Sequence, residues 1–241
     1  MGPSNVPANW LTDIGMGMYH TDTYVPPEGV SKVRVNVDPL TLKDDRYAYE
    51  FGVFNAGAHE YVIGGKGSKP FSGNNPVLSE ASRQADSQVL LQDNAANIKS
   101  LVQSNIALGE IEAAIRRIDP QAHITFAGDS LSGLQFLNHL VLMAKKDPSV
   151  ADRYSLVSTD QPFLPASSLG LSQSALNNLN LGGSCTFLAT SGDVVSQGTL
   201  ANGGWSPNTL TLIDVPWVNT LDTNITVRDF NVVYEADANS A

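Results

Sequence analysis

Ser130 stands between a strand-like segment and a helix-like segment, where a nucleophile can project from the protein. The tripeptide Ile124-Thr125-Phe126 alternates in the way that favours a buried strand. It is followed by Gly128-Asp129-Ser130-Leu131-Ser132-Gly133, which places the serine in a glycine-flanked turn. Such a turn exposes a hydroxyl beside helix N–H groups that can stabilise an oxyanion. We therefore predict that Ser130 is the nucleophile of an acyl-transfer reaction. The alternative is an ordinary turn with a serine N-cap.

The segment after Gly133 has the periodicity of a helix. Leu134, Leu137, Val141 and Ala144 fall on one helical face. The pattern ends before Asp147-Pro148, where proline cannot continue the helix. Strand, serine turn and helix therefore follow one another in the order that supports a nucleophile at the turn.

The serine turn resembles the G-H-S-L-G-G segment of α/β-hydrolase lipases, both the class 3 type and the bacterial type with calcium-binding repeats. It departs from that segment at Asp129, where those lipases have histidine, and at Ser132, where they have glycine. Its letters also resemble the G-D-S-L-S block of the GDSL hydrolases. That family places the block near the start of its chains, so it ranks second. The lipase resemblance implies hydrolysis of carboxylic esters, with a lipid or a small ester as substrate.

Two further segments are similar to parts of the lipase site. Lys66-Gly67-Ser68 resembles the Arg-Gly-Thr-like segment of class 3 lipases, which implies Ser68 and the backbone N–H of Leu131 as oxyanion donors. A plain glycine-rich loop is the alternative, and the spacing of a phosphate loop is absent. Asp193 follows a strand-like run and matches the lipase acid in an Asp-x-Val pattern. The resemblance implies that it is the catalytic acid, although an ordinary turn aspartate is the alternative reading.

The base of the triad is missing from its expected place. The order in this fold is serine, acid, histidine, yet the four histidines, His20, His59, His123 and His139, all precede Asp193. From Ser130, His139 is roughly 13 Å along the helix and His123 roughly 23 Å along the strand, both out of reach. His59 lies at the wrong end of its strand, which leaves His20.

Three explanations for the missing base are open. The chain is a piece of a longer hydrolase whose histidine lies beyond it, or it uses an unorthodox base. In the third, the chain has a hydrolase fold that has lost catalysis and now serves as a binding or structural protein. Without its base a serine hydroxyl is a poor nucleophile, so the third explanation describes a protein of a different functional class.

Alternating strand-like and helix-like runs predict an α/β-hydrolase-like, mostly parallel sheet with crossover helices, preceded by an antiparallel hairpin. We expect an irregular segment over residues 1–30, whose Met16, Met18, Tyr19 and Tyr24 pack on the domain; the alternative is that they line an access groove. A single domain then covers 31–241. Its helical region at 80–118 has a break at Leu108-Gly109. The expected strands are 32–37, 46–54, 60–65, 123–127, 154–158, 185–190, 209–213 and 225–234.

Composition excludes several classes of protein. The net charge is −10 with 14 basic residues and no basic run, which argues against a nucleic-acid partner. No apolar run approaches the roughly 20 residues of a membrane span. The single cysteine, Cys185, excludes an intramolecular disulfide. The beginning of the chain lacks the pattern of a secretory signal, but a charged fraction of 16% suits a secreted protein. A protein partner is left open.

No cofactor and no metal are expected. Zinc-ligand spacing is absent from the sequence. Asp222, Asp229 and Asp237 could contribute to a calcium site, as in the repeat-bearing lipases, but the spacing of neither an EF-hand nor a glycine-rich nonapeptide is present. Solvated carboxylates are therefore the preferred interpretation.

Overall fold

A mixed β-sheet of eight strands organises the chain. The computed structural model describes residues 6–20, 23–68, 80–91, 94–147, 149, 153–177, 185–190, 193–201, 203–205 and 210–213. The expected strand at 225–234 and the three candidate calcium aspartates lie outside these residues. The strands are β1 (Ser31–Lys32), β2 (Lys43–Asp44), β3 (Tyr49–Gly57), β4 (Glu60–Gly65), β5 (His123–Asp129), β6 (Tyr154–Thr159), β7 (Cys185–Thr190) and β8 (Leu210–Ile213).

The sheet is antiparallel at one side and parallel through the rest. Its order is β1-β3-β4-β5-β6-β7-β8, with β2 also paired to β3. β3 and β4 form the expected antiparallel hairpin, and β4 to β8 are parallel. The predicted fold class is therefore confirmed. Parallel strands bring their carboxyl ends to one edge, so Gly65, Asp129 and Thr159 lie beside one another there.

Helices cover both faces of the sheet. On one face, the long helices of the central region pack in the main apolar core, while the first helix lies with a smaller cluster on the other face. The helices are α1 (Ala8–Gly17), α2 (Pro39–Leu42), α3 (Glu80–Leu90), α4 (Lys99–Ile118), α5 (Leu131–Lys146), α6 (Gln173–Asn177) and α7 (Val194–Ala201).

The main core is built around Phe126 of β5. Phe126 is fully buried, and its ring centroid lies 5.0 Å from that of Phe136 in α5 and 6.0 Å from that of Tyr154 in β6. Alternation along the strand sends Ile124 and Phe126 to this face and Ala127 to the α1 face. The central strand and the helix after the serine are thereby locked together by aromatic packing.

The first segment differs from the prediction of an irregular chain over residues 1–30. Residues 8–17 form α1, which begins after Pro7 and buries Leu11 and Ile14. Met18 is buried against the sheet as expected. A helix fits here because Gly64 of β4 has no side chain, so that Ile14 and Met18 pack directly on the strand.

Two other expected elements are also corrected. Of the expected strand at 32–37, only Lys32 lies in β1, which begins at Ser31 and pairs with β3, while Val35 is buried in the core. The expected break at Leu108-Gly109 is wrong, since α4 runs unbroken through it and the interruption falls between α3 and α4. Gly109 is tolerated because it lies on an exposed face, where a glycine costs about 1 kcal/mol relative to alanine.

Replacing Gly109 by alanine should stabilise the protein. A Cβ added there meets no atom within 4 Å, so the change reduces backbone freedom in the unfolded chain without a clash. We expect Gly109→Ala to raise the free energy of unfolding by about 0.5–1 kcal/mol in urea titrations. Gly133→Ala is the contrasting variant, because its Cβ would collide with Ser158 Oγ. A destabilised Gly109→Ala protein would contradict the continuous helix.

Candidate functional site

Ser130 occupies a strained turn between β5 and α5. Its φ is 52° and its ψ is −124°, a region that costs a non-glycine residue about 1–3 kcal/mol and is typical of functional sites. Its N–H donates to Thr159 O at 2.9 Å, which fixes the turn to the neighbouring strand. Because α5 begins at Leu131, the N–H of Leu131 has no partner within the helix. The turn thus has the geometry that the sequence predicts around Ser130.

Two glycines make room for this turn. A Cβ on Gly128 would lie 2.8 Å from the backbone nitrogen of Gly133, and one on Gly133 would strike Ser158. Real Cβ atoms do not make contacts this short, so the strand and the start of the helix can approach this closely only because both positions are glycine. The requirement explains why glycines flank the serine on both sides.

Ser132 replaces the second glycine of the lipase pattern without disrupting the turn. Its Oγ lies 2.9 Å from Gly65 O and 2.8 Å from Asp129 O, and it accepts from Asp129 N at 2.9 Å. The side chain fits because the facing residue is Gly65, where a Cβ would lie 2.8 Å from that of Ser132. The fully buried hydroxyl therefore holds the turn closed.

The loop of residues 66–68 lies directly on the serine turn. A Cβ on Gly67 would be 2.6 Å from Asp129 O and 2.9 Å from the Cβ of Ser130. Lys66 is held by its N–H, which donates to Glu50 O at 2.9 Å. Ser68 Oγ donates to Asp86 in α3 at 2.7 Å, and burial raises the pKa of Asp86. The structure thus brings the loop that carries Ser68 to Ser130.

Asp129 forms a hydrogen-bonded link to the first segment that the sequence did not indicate. Its Oδ2 accepts from Tyr19 Oη at 2.6 Å, and its Oδ1 accepts from Thr159 Oγ1 at 2.8 Å. Burial raises the pKa of Asp129, and the charge of Asp193 raises it further. Tyr19, for which packing on the domain was the preferred interpretation, is therefore hydrogen-bonded to the residue that precedes Ser130.

Asp193 lies near the same edge of the sheet and caps α7. Its Oδ2 accepts from Ser196 N at 2.6 Å and from Ser196 Oγ at 2.7 Å. Its charge also raises the pKa of Asp160, which follows β6. Asp129, Asp160 and Asp193 therefore lie close enough for their charges to interact at the carboxyl end of the parallel strands.

The pKa of Asp160 is also raised well above its ordinary value. Burial, followed by the charge of Asp129, raises its pKa to about 7. Its oxygens accept from Thr190 N at 2.6 Å and Thr190 Oγ1 at 2.8 Å, which joins β6 to β7. The residue takes a positive φ of 47°. Its position gives it a role in holding the strand ends together beside the serine.

The histidines whose side chains are described have other partners. His139 Nε2 lies 2.7 Å from Glu112 Oε1 and its Nδ1 lies 2.6 Å from Asn105 Oδ1, on the buried side of α5. His59 pairs with Asp119 at 2.8 Å, and His123 faces Glu60 at 3.3 Å. Both lie at the amino ends of β4 and β5, opposite the serine.

His20 ends a 3₁₀ turn formed by Met18–His20. Its backbone therefore follows directly on Tyr19, whose hydroxyl contacts Asp129. Of the four histidines, it is the one whose backbone lies in the segment that reaches the serine turn.

Comparison with solved structures identifies the fold. The Lip2 lipase from Yarrowia lipolytica aligns at 13% identity over 87% of this chain and 78% of its own, with a TM-score of 0.52. The Rhizomucor miehei triacylglyceride lipase aligns at 13% identity over 86% of this chain and 79% of its own, with a TM-score of 0.55. Lipase II from Rhizopus niveus aligns at 10% identity over 88% and 79%, with a TM-score of 0.52.

These similarities establish the α/β-hydrolase fold of the fungal lipases for this chain. They confirm the predicted likeness to α/β-hydrolase lipases at the level of the fold. No protein-family model matches the sequence, and no curated protein matches it significantly.

Two further findings concern the part of the chain that the structure describes. Within it, no group of three or more histidine, cysteine, aspartate or glutamate side chains is arranged to hold a metal ion. None of the helices described there combines the length and the apolarity needed to cross a membrane.

Removing the charge of Asp160 should change how stability depends on pH. The folded-state pKa is about 7 against an ordinary value of 3.8, so the stability that protonated Asp160 contributes is fully present below 3.8 and is lost as the pH rises through 7. An asparagine in its place stays neutral and tolerates a positive φ. Since each pKa unit corresponds to about 1.4 kcal/mol, we expect Asp160→Asn to gain up to about 4 kcal/mol at pH 8 and little at pH 4.

The measurement is chemical unfolding of both proteins across this pH range. Asp45→Asn, which changes an exposed aspartate, is the control and should leave the curve near that of the parent. Parallel stability curves for the parent and Asp160→Asn would contradict the assignment of a buried, protonated carboxyl group to position 160.

Proposed function

We propose that this protein is a serine carboxylester hydrolase of the lipase type. The observation that carries the proposal is the strained conformation of Ser130, with a φ of 52° at the N-terminus of α5. Strain of about 1–3 kcal/mol at a polar residue is kept where function needs it. The loop of residues 66–68 in contact with this turn adds the second half of an oxyanion site.

The proposed reaction begins with attack of Ser130 Oγ on an ester carbonyl carbon. The carbonyl oxygen becomes an oxyanion, which the N–H of Leu131 and the loop donor at Ser68 stabilise. The positive end of the α5 dipole favours the same charge. The alcohol leaves with a proton, and water then hydrolyses the acyl-enzyme. Because Ser68 Oγ donates to Asp86, its backbone N–H is the better-placed donor.

Asp193 is proposed to orient the general base. One of its oxygens, Oδ2, is committed to capping α7, so Oδ1 would receive the base. The described histidine side chains do not supply that base, since His59, His123 and His139 have partners elsewhere. The proton of Ser130 therefore passes to a group other than these three histidines.

The substrate class is proposed from the neighbours in fold. The similar Rhizomucor miehei structure is of a triacylglyceride lipase, which favours a lipid ester over a small polar ester. Secretion, which the composition suits, and the division into a first segment and one domain stay predictions.

A second candidate is a hydrolase-fold protein without catalysis that binds a lipid or a protein partner. The histidine positions favour it, because His139 is buried in a pair with Glu112 and His59 and His123 lie at the opposite edge of the sheet. Loss of one triad member reduces turnover by orders of magnitude while leaving the fold intact.

Hydrolysis of p-nitrophenyl butyrate separates the two candidates. Ser130→Ala should lower the rate of hydrolysis by about 10⁴-fold or more, since the nucleophile is removed. Ser174→Ala, a change at an exposed serine of another helix, is the matched control and should be unaffected. Activity that survives Ser130→Ala would refute the nucleophile. An inactive parent protein that still binds lipid would support the second candidate.

A further inference from the structure

We propose that Tyr19 is a positioning residue that, together with Asp129, clamps the loop of residues 66–68 against Ser130. The inference rests on the serine hydrolase function proposed above and adds a residue that acts through the oxyanion loop. Tyr19 belongs to the 3₁₀ turn after α1, on the opposite face of the sheet from α5.

The Tyr19 hydroxyl joins three segments. It donates to Asp129 Oδ2 at 2.6 Å, and it lies against Gly67, where an added Cβ would collide with it. Asp129 precedes the serine, and Gly67 lies at the centre of the loop. The hydroxyl of Tyr19 therefore connects the turn that carries the nucleophile to the loop that carries Ser68.

Both oxygens of Asp129 are held. Tyr19 Oη donates to one of them, Oδ2. The second oxygen of Asp129 is held by Thr159 at 2.8 Å, so the carboxylate cannot turn away from Tyr19.

The loop is also fixed at its other end. The N–H of Lys66 donates to Glu50 O at 2.9 Å, which ties the loop to β3. The close approach requires glycine at 67, because an added Cβ would collide with Tyr19 Oη and lie 2.6 Å from Asp129 O.

Tyr24 provides a matched control. Its hydroxyl donates to Asp13 at 2.8 Å, which is the same pairing on the same first segment but at a site away from the serine turn. Tyr24→Phe therefore removes a bond of the same chemistry without touching the loop or Asp129.

The experiment compares Tyr19→Phe and Tyr24→Phe by ester hydrolysis and by hydrogen exchange of the amides of residues 66–68. Without its hydroxyl, residue 19 no longer ties Gly67 to Asp129, so the loop opens more often and drifts from the serine. We expect Tyr19→Phe to lower kcat about tenfold with KM within about twofold, and to speed exchange at Gly67. Tyr24→Phe should change neither measurement. Asp129→Asn, which weakens the hydrogen bond between residue 129 and Tyr19, should also speed exchange at Gly67.

Unchanged exchange at Gly67 in Tyr19→Phe would overturn the clamp. Faster exchange with an unchanged kcat would overturn its positioning role. If the parent protein shows no hydrolysis that depends on Ser130, the proposed function fails separately. Hydrogen exchange at Gly67 then still tests the clamp. Faster exchange in Tyr19→Phe than in both the parent and Tyr24→Phe would support it.

Discussion

The close approach of four backbone segments around Ser130 is the constraint on which the rest of the site depends. The end of β5, the start of α5, the end of β4 and the loop after β4 approach one another closely there at glycine positions. Gly128 and Gly133 admit the helix, Gly65 admits the Ser132 hydroxyl, and Gly67 admits the loop. Because the segments touch through backbone atoms, the strained φ of Ser130 is held on all sides.

Buried polar groups then connect the Ser130 turn to the surrounding elements. Tyr19 and Thr159 bind Asp129, while Thr190 binds Asp160, so that hydrogen bonds join the turn after α1 to β5, β6 and β7 at one edge. Three carboxyl groups lie in this region, and burial, together with their charges, raises the pKa values of Asp129 and Asp160, an arrangement that costs stability in an ordinary sheet. Such groups are concentrated where a fold carries function. In this chain they lie at the edge of the sheet that carries Ser130.

The sequence predicted those parts of the fold that follow from local pattern. The alternation around Phe126 and the periodicity after Gly133 gave β5 and α5, and the glycines marked the turn between them. The helix at residues 8–17 was missed because its apolar face depends on Gly64 across the sheet, a contact that no local pattern reveals. Tyr19 was missed for the same reason, since its partner Asp129 lies 110 positions away in the chain. The expected break at Gly109 was wrong because an exposed glycine costs a long helix only about 1 kcal/mol. The roles of Ser130, Asp193, Leu131 and Ser68 stay predictions.

Covalent labelling by a fluorophosphonate tests the central claim, a nucleophilic serine beside an oxyanion site, most directly. The reagent forms a bond to an activated serine oxygen and places a phosphoryl oxygen where the oxyanion would lie. Mass spectrometry of the labelled protein locates the modified residue. The account predicts a single adduct on Ser130 that heat denaturation abolishes. A folded protein left unmodified at Ser130, or an adduct on another serine, would contradict it.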